Sequence, residues 1–138
     1  MSNLKNLNTE NLREFALLLL VLVENENDFT NEFEAFEKDR QLPEPRNYNF
    51  IYELVGGTFN KKILIDAFLK FLIKKDFEKL PPIILNNLRL GIYQLEFMNS
   101  IPPSAAINES VKLAKKYGHI GTVKLTNAVL RNFLRKIN

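Results

Sequence analysis

A chain of 138 residues with 46% apolar and 25% charged side chains has the size and composition of one globular domain that buries its own core. It contains no cysteine and a single histidine, His119, which excludes disulfides, thiolate metal sites, cysteine nucleophiles and multi-histidine metal centres. The net charge of +3 is unevenly spread: residues 1–109 hold sixteen acids against twelve bases, or −4, and the remainder holds seven bases and no acid. A basic surface on one side of a molecule attracts polyanions.

Residues 1–8 are polar enough to form a flexible tail. Asn11 and Glu14 are spaced as a capping box, with Asn11 as N-cap, so a helix is expected over about 11–25. Its apolar run, Phe15 to Val23, is nine residues long, about half a membrane span, and no basic segment precedes it. It reads as a buried helix of a cytoplasmic protein with no membrane contact, not as an anchor or a signal peptide. A second, short helix follows Asp28 or Thr30, with Phe29, Phe33 and Phe36 inside and Glu32, Glu34 and Glu37 facing solvent. Pro43 and Pro45 interrupt the next loop.

A third helix, about 46–56, presents Tyr48, Ile51, Tyr52, Leu54 and Val55, and Gly56-Gly57 is expected to bend or end it. The fourth, about 60–74, is expected to bury Ile63, Leu64, Ala67, Phe68, Phe71 and Leu72, with Lys61, Lys62, Lys70, Lys74 and Lys75 outside. The fifth, about 82–98, opens at Pro81-Pro82. It buries Ile84, Leu85, Leu88, Ile92, Leu95 and Phe97, and Gly91 permits a close helix approach. The sixth, about 103–117, is capped by Ser104 or a neighbour and buries Ala106, Ile107, Val111 and Ala114. The seventh, about 122–136, buries Val123, Leu125, Val129, Leu130, Phe133 and Leu134. No stretch alternates with period two for long enough to suggest a strand. The expectation is one all-α domain over 1–138, a compact bundle of six or seven helices with short connections.

From Leu80 onward an ordered set of landmarks resembles the NusB-like family. They are LRLGIYQL (88–95), the proline turn Ile101-Pro102-Pro103, AINESVKLAKKYG (106–118) and TNAVLR (126–131). Members occur alone as transcription antitermination factors and as the N-terminal domain of the rRNA cytosine-5 methyltransferase RsmB (Sun/Fmu). Leu80-Pro81-Pro82, the Tyr117-Gly118-His119-Ile120-Gly121 turn and the Gly56-Gly57-Thr58 landmark are more similar to the methyltransferase branch. The resemblance implies a seven-helix module that binds RNA, either rRNA or a leader RNA, or docks a partner such as ribosomal protein S10. The sequence leaves monomer and homodimer equally open. The antitermination branch carries several arginines around its first helix. Here that region offers Lys5 and Arg13, and the basic run after the Gly-Thr landmark is reduced to Lys61 and Lys62. RNA affinity is therefore expected chiefly from the C-terminal surface.

Cytosine-5 methylation needs a cysteine nucleophile and an S-adenosylmethionine site. This chain has neither the cysteine nor a Gly-rich strand-to-helix turn, so no catalysis and no cofactor are expected of these residues. The candidate RNA contacts are Arg13, Lys61, Lys62, Lys112, Lys115, Lys116, Lys124, Arg131, Arg135 and Lys136. Lys112, Lys115 and Lys116 share a helix face at i, i+3, i+4. Arg131 and Arg135 are i, i+4, with Lys124 two turns earlier. Lysine and arginine in such rows neutralise phosphates and release counterions. Tyr117 is expected as a half-buried ring covering a helix end and His119 as a turn residue bonding a carbonyl, in preference to a base-stacking platform. Asn127 is expected to play a structural role, and Glu109 to cap or to pair with a lysine. The leading expectation is a non-catalytic RNA-binding module, with a protein-docking module lacking RNA affinity as the contrasting one.

Overall fold

In the computed structural model, residues 11–26 and 45–137 are described, and they form six α-helices and one short 3-10 turn. The helices are α1 (Leu12–Glu26), α2 (Pro45–Asn60), α3 (Lys62–Ile73), α4 (Pro82–Phe97), α5 (Pro103–Tyr117) and α6 (Ile120–Lys136), with the turn at Phe77–Lys79. The all-α expectation holds over these residues. The tail at 1–8, the short helix around Phe29 to Phe36 and the loop at 41–44 fall outside them.

α4 is the hub, packing against each of the other five described helices. Ile84, Leu88, Ile92 and Leu95 are buried as their spacing requires, while Leu85 and Phe97 are half-buried. α1 is buried along most of its length through Phe15, Ala16, Leu17, Leu19, Leu20 and Val23, and packs on α2 and α4. Burying such side chains contributes about 1.5–3 kcal/mol each relative to exposure, which makes this contact a large part of the driving force. Pro82 and Pro103 each stand at the first helical position, where the missing N–H leaves no bond unmade. The N-cap of α5 is Pro102, with no side-chain bond, so of Ser104 and its neighbours it is a neighbour that stands at the cap.

Two expectations are narrowed or corrected. Of the two outcomes expected of Gly56-Gly57, a bend or an end, the end is not seen, because α2 runs through both to Asn60. Gly57 is there for space, because a Cβ at that position would lie 2.2 Å from the ring end of Tyr93 on α4. α3 is also turned from its expected face. Ile65 and Leu69 are buried, Phe68 and Leu72 are half-buried, and Ile63, Leu64, Ala67 and Phe71 are exposed. The helix is apolar nearly all round, so periodicity alone did not fix its rotation. Two contacts do. Asp66 accepts from Arg89 on α4, with Nε–Oδ1 and Nη2–Oδ2 both at 2.8 Å, and Phe68 meets Phe133 on α6 edge-on at 5.3 Å.

Gly91 plays its expected role. A Cβ there would lie 2.8 Å from Leu130 Cδ1 on α6 and 3.1 Å from Ser110 Oγ on α5, so glycine lets three helices meet.

Candidate nucleic-acid interface

The predicted basic residues separate into two groups by what surrounds them. The first lies where the start of α1 meets α5. Asn11 Oδ1 accepts from the Glu14 amide at 3.0 Å, which is one half of the expected capping box. The reciprocal half is replaced, because Glu14, only 4% exposed, turns its carboxylate toward α5. There its Oε2 accepts from the Tyr117 hydroxyl and pairs with Lys116 Nζ at 2.5 Å. Burial, then the hydrogen bond to Glu14 and its charge, push the Tyr117 phenol well above its usual range. Tyr117 is half-buried, as expected.

Arg13 is also half-buried. Its Nε donates to Gln94 Oε1 at 2.7 Å and its guanidinium lies 5.4 Å over the Phe50 ring. Burial lowers its pKa, and the charge of Glu109 partly offsets that. Glu109 pairs with Lys112 at 3.2 Å, which fulfils the expectation for that glutamate. The structure therefore brings Arg13, Lys112 and Lys116 together but interleaves them with Glu14 and Glu109.

Lys61 and Lys62 stand apart, around the start of α3. Lys61 Nζ lies 5.5 Å over the Phe97 ring, and Lys62 pairs with Glu24 at 3.1 Å. Lys115 is exposed on the outer face of α5.

The second group is the outer face of α6. Lys124, Arg131 and Arg135 are exposed, and at 100° per residue they fall within about 40° of one line. They span roughly 16 Å of helix at 1.5 Å per residue. α6 contains no acid, and the side chains that accept from its arginines are neutral. Asn127 Oδ1 accepts from Arg131 Nε at 2.9 Å, and Asn132 Oδ1 from Arg135. Asn127 is thus an exposed residue that orients an arginine, not an interior one. Arg131, Leu134 and Arg135 line a shallow open depression. Lys136 is exposed but points about 100° away from Arg135. This row presents positive charge that no carboxylate of the helix neutralises, in a form suited to consecutive phosphates.

The turn that sets the start of α6 is tightly built. His119 is its N-cap: Nδ1 accepts from the Gly121 amide at 3.0 Å, while the His119 amide donates to Thr122 Oγ1 at 2.9 Å. The ring therefore bonds an amide, where a carbonyl partner was expected. At Gly118 a Cβ would lie 2.1 Å from Thr122 Oγ1 and 2.8 Å from the Ala114 carbonyl, so only glycine fits.

Sequence reasoning did not find the ionic centre of the bundle. Arg89, 4% exposed, holds Asp66 as described, donates to Glu24 Oε2 at 2.5 Å and donates to Asn86 Oδ1 at 3.0 Å. The available signal was Arg89 standing between Leu88 and Leu90 on a buried helix. Burial of Glu24 favours its neutral form, but hydrogen bonds from Asn86, Arg89 and Lys62 outweigh it and hold the carboxyl below its usual range. This cluster ties α1, α3 and α4 together. Among the described residues, no group of acids or histidine is placed to hold a metal, and no helix is long and apolar enough to cross a membrane.

Comparison with known proteins agrees with this architecture. The NusB family model matches residues 10–135. A probable ribosomal RNA small subunit methyltransferase B of Bacillus subtilis is 36% identical over 126 residues, covering 91% of this chain but 28% of that protein. The chain thus spans under a third of the methyltransferase relative. The transcription antitermination protein NusB of Clostridium novyi is 32% identical, with 94% of this chain and 99% of that one covered. A crystal structure of antitermination factors NusB and NusE with double-stranded RNA superposes with a TM-score of 0.80 at 22% identity, covering 98% of both chains. T. maritima NusB superposes with a TM-score of 0.81 at 21% identity, covering 94% of this chain and 92% of that one.

Proposed function

The chain belongs to the NusB family, and from that premise we propose that it is a non-catalytic RNA-binding module whose principal contact is the outer face of α6. The observation that carries this is the row Lys124, Arg131 and Arg135, exposed on a helix without a carboxylate. Such a row neutralises phosphates without reading bases, so binding is strongly salt-dependent and only weakly sequence-dependent. Lys115 extends the positive surface onto α5. Arg13, Lys112 and Lys116 contribute less, because Glu14 and Glu109 already offset them. Lys61, Lys62 and Lys136 lie off the row and are secondary.

The relative in Bacillus subtilis and the landmarks at Leu80-Pro81-Pro82 and 117–121 favour the accessory module of an rRNA cytosine-5 methyltransferase. These 138 residues include no cysteine, so in that setting they grip RNA and the methyl transfer is performed elsewhere. The near-complete two-way coverage of the Clostridium novyi protein favours a second reading, an antitermination factor acting with leader RNA and ribosomal protein S10.

Fluorescence anisotropy of labelled hairpin and single-stranded RNAs at low and moderate salt tests the proposal. Binding that weakens steeply with salt is expected. A preference for an rRNA hairpin supports the methyltransferase setting, and one for a single-stranded site the antitermination setting. No binding at low salt would overturn RNA recognition and leave a protein-docking module.

A further inference from the structure

α3 exposes what its sequence says should be inside. Ile63 is 89% exposed, Phe71 58% and Leu64 44%, with Ala67 exposed between them. Ile63, Ala67 and Phe71 stand at i, i+4, i+8 and Leu64 flanks them, so the four form one stripe about 12 Å long at 1.5 Å per residue. The rotation that exposes this stripe is fixed by Asp66 on Arg89 and by Phe68 on Phe133, so α3 is held with its apolar side outward. A contiguous apolar patch with a charged rim marks an interaction site.

The exposed charges of the segment 61–75 are all positive, and the exposed acids Asp76 and Glu78 lie beyond its C-terminal end. Lys61, Lys70, Lys74 and Lys75 are exposed and none is in an ion pair among the described residues, while Lys61 lies over the Phe97 ring and Lys70 over the Phe77 ring at 5.2 Å. The sole acid of α3, Asp66, is consumed by Arg89. Beyond the helix, Asp76 is paired with Lys79 at 3.5 Å.

We propose that the exposed face of α3 is a protein-docking surface for an acidic amphipathic helix of a partner. The partner's apolar stripe lies on Ile63, Leu64, Ala67 and Phe71, and its flanking carboxylates meet Lys61, Lys70, Lys74 and Lys75. Ala67 provides a low point between two large side chains, which suits ridge-into-groove contact with a helix. The stripe favours protein over RNA because Ile63, its most exposed member, and Leu64 are aliphatic and offer no ring for base stacking. The lysine rim governs steering and salt dependence, and the apolar centre supplies affinity. This face is distinct from the α6 row, so the two sites are separable by mutation.

The test uses two synthetic 18-residue amphipathic helices sharing one leucine stripe, flanked by glutamates in one and by lysines in the other. Backbone amide shifts of the isotope-labelled chain are followed during titration. The expected result is perturbation centred on 61–75 by the glutamate peptide, with at least about tenfold weaker binding of the lysine peptide. A comparable loss is expected in Ile63→Glu/Phe71→Glu, with Ala67→Glu as a second variant. Because these positions are exposed, thermal midpoints should match the parent, and a variant with a lowered midpoint is replaced by the other. Three results would overturn the proposal: equal binding of both peptides, shifts centred elsewhere, or stronger perturbation of 61–75 by single-stranded poly(U). Concentration-dependent dimerisation abolished by Ile63→Glu/Phe71→Glu would also overturn it, in favour of a second copy on this face.

Discussion

Glu14 and Arg89 show how single charged residues decide this architecture. Each is nearly buried, and each joins segments far apart in the sequence: Glu14 reaches Lys116 and Tyr117, while Arg89 reaches Glu24 and Asp66. Breaking a buried ion pair by removing one partner leaves the other charge uncompensated. Arg89→Ala should therefore lower the stability measured by urea unfolding by about 3–5 kcal/mol. A loss below about 1 kcal/mol would mean that Glu24 and Asp66 are adequately solvated without it. Glu24 also predicts a pH dependence. Its folded pKa lies below the ordinary 4.5, so its contribution is fully present above the unfolded value and is lost as pH falls through the folded one. The thermal midpoint should fall between about pH 7 and pH 3, and Glu24→Gln should flatten part of that slope. An unchanged slope in the variant would assign the dependence to other carboxyls.

Among the elements, the Gly118 turn and the rotation of α3 are the informative cases. Gly118→Ala places a methyl against the Ala114 carbonyl and the Thr122 hydroxyl that caps α6. It should destabilise the chain by about 1–3 kcal/mol in denaturant unfolding, despite alanine's better helix propensity. No change would show that the turn relaxes freely. This turn was legible in the sequence as a break, and so were the proline starts of α4 and α5. Helix existence followed from 3.6-residue periodicity, which also oriented α5 and α6, whose apolar residues occupy one side, whereas α4 is buried nearly all round. Periodicity failed to orient α3, where nine of twelve residues are apolar and the deciding contacts come from Arg89 and Phe133. The role of Gly57 was not legible for a related reason. Glycine inside a helix signals either a break or a close neighbour, and only the Tyr93 ring, 36 positions away in the chain, decides which.

For the whole molecule, the charge division in the sequence becomes a division of surfaces. All the acids precede residue 110, yet Glu14 and Glu109 fold against Lys116 and Lys112, so the uncompensated part of the basic segment narrows to Lys115 and α6. Composition located the basic segment, but which cations remain uncompensated was not readable without the Glu14 contacts to Tyr117 and Lys116 and the Glu109–Lys112 pair. The molecule thus offers two separate faces, a basic row on α6 and an apolar, lysine-rimmed stripe on α3, held in fixed relation by α4. The measurement that bears most directly on this account is RNA binding by two double charge reversals compared with the parent across a salt series. Arg131→Glu/Arg135→Glu should weaken binding by at least about tenfold and reduce the slope of log affinity on log salt by about 1.4, or roughly 0.7 per lost phosphate contact. Lys112→Glu/Lys116→Glu should have a clearly smaller effect. The reverse order, or equal loss from both, would contradict the assignment of α6 as the principal RNA contact.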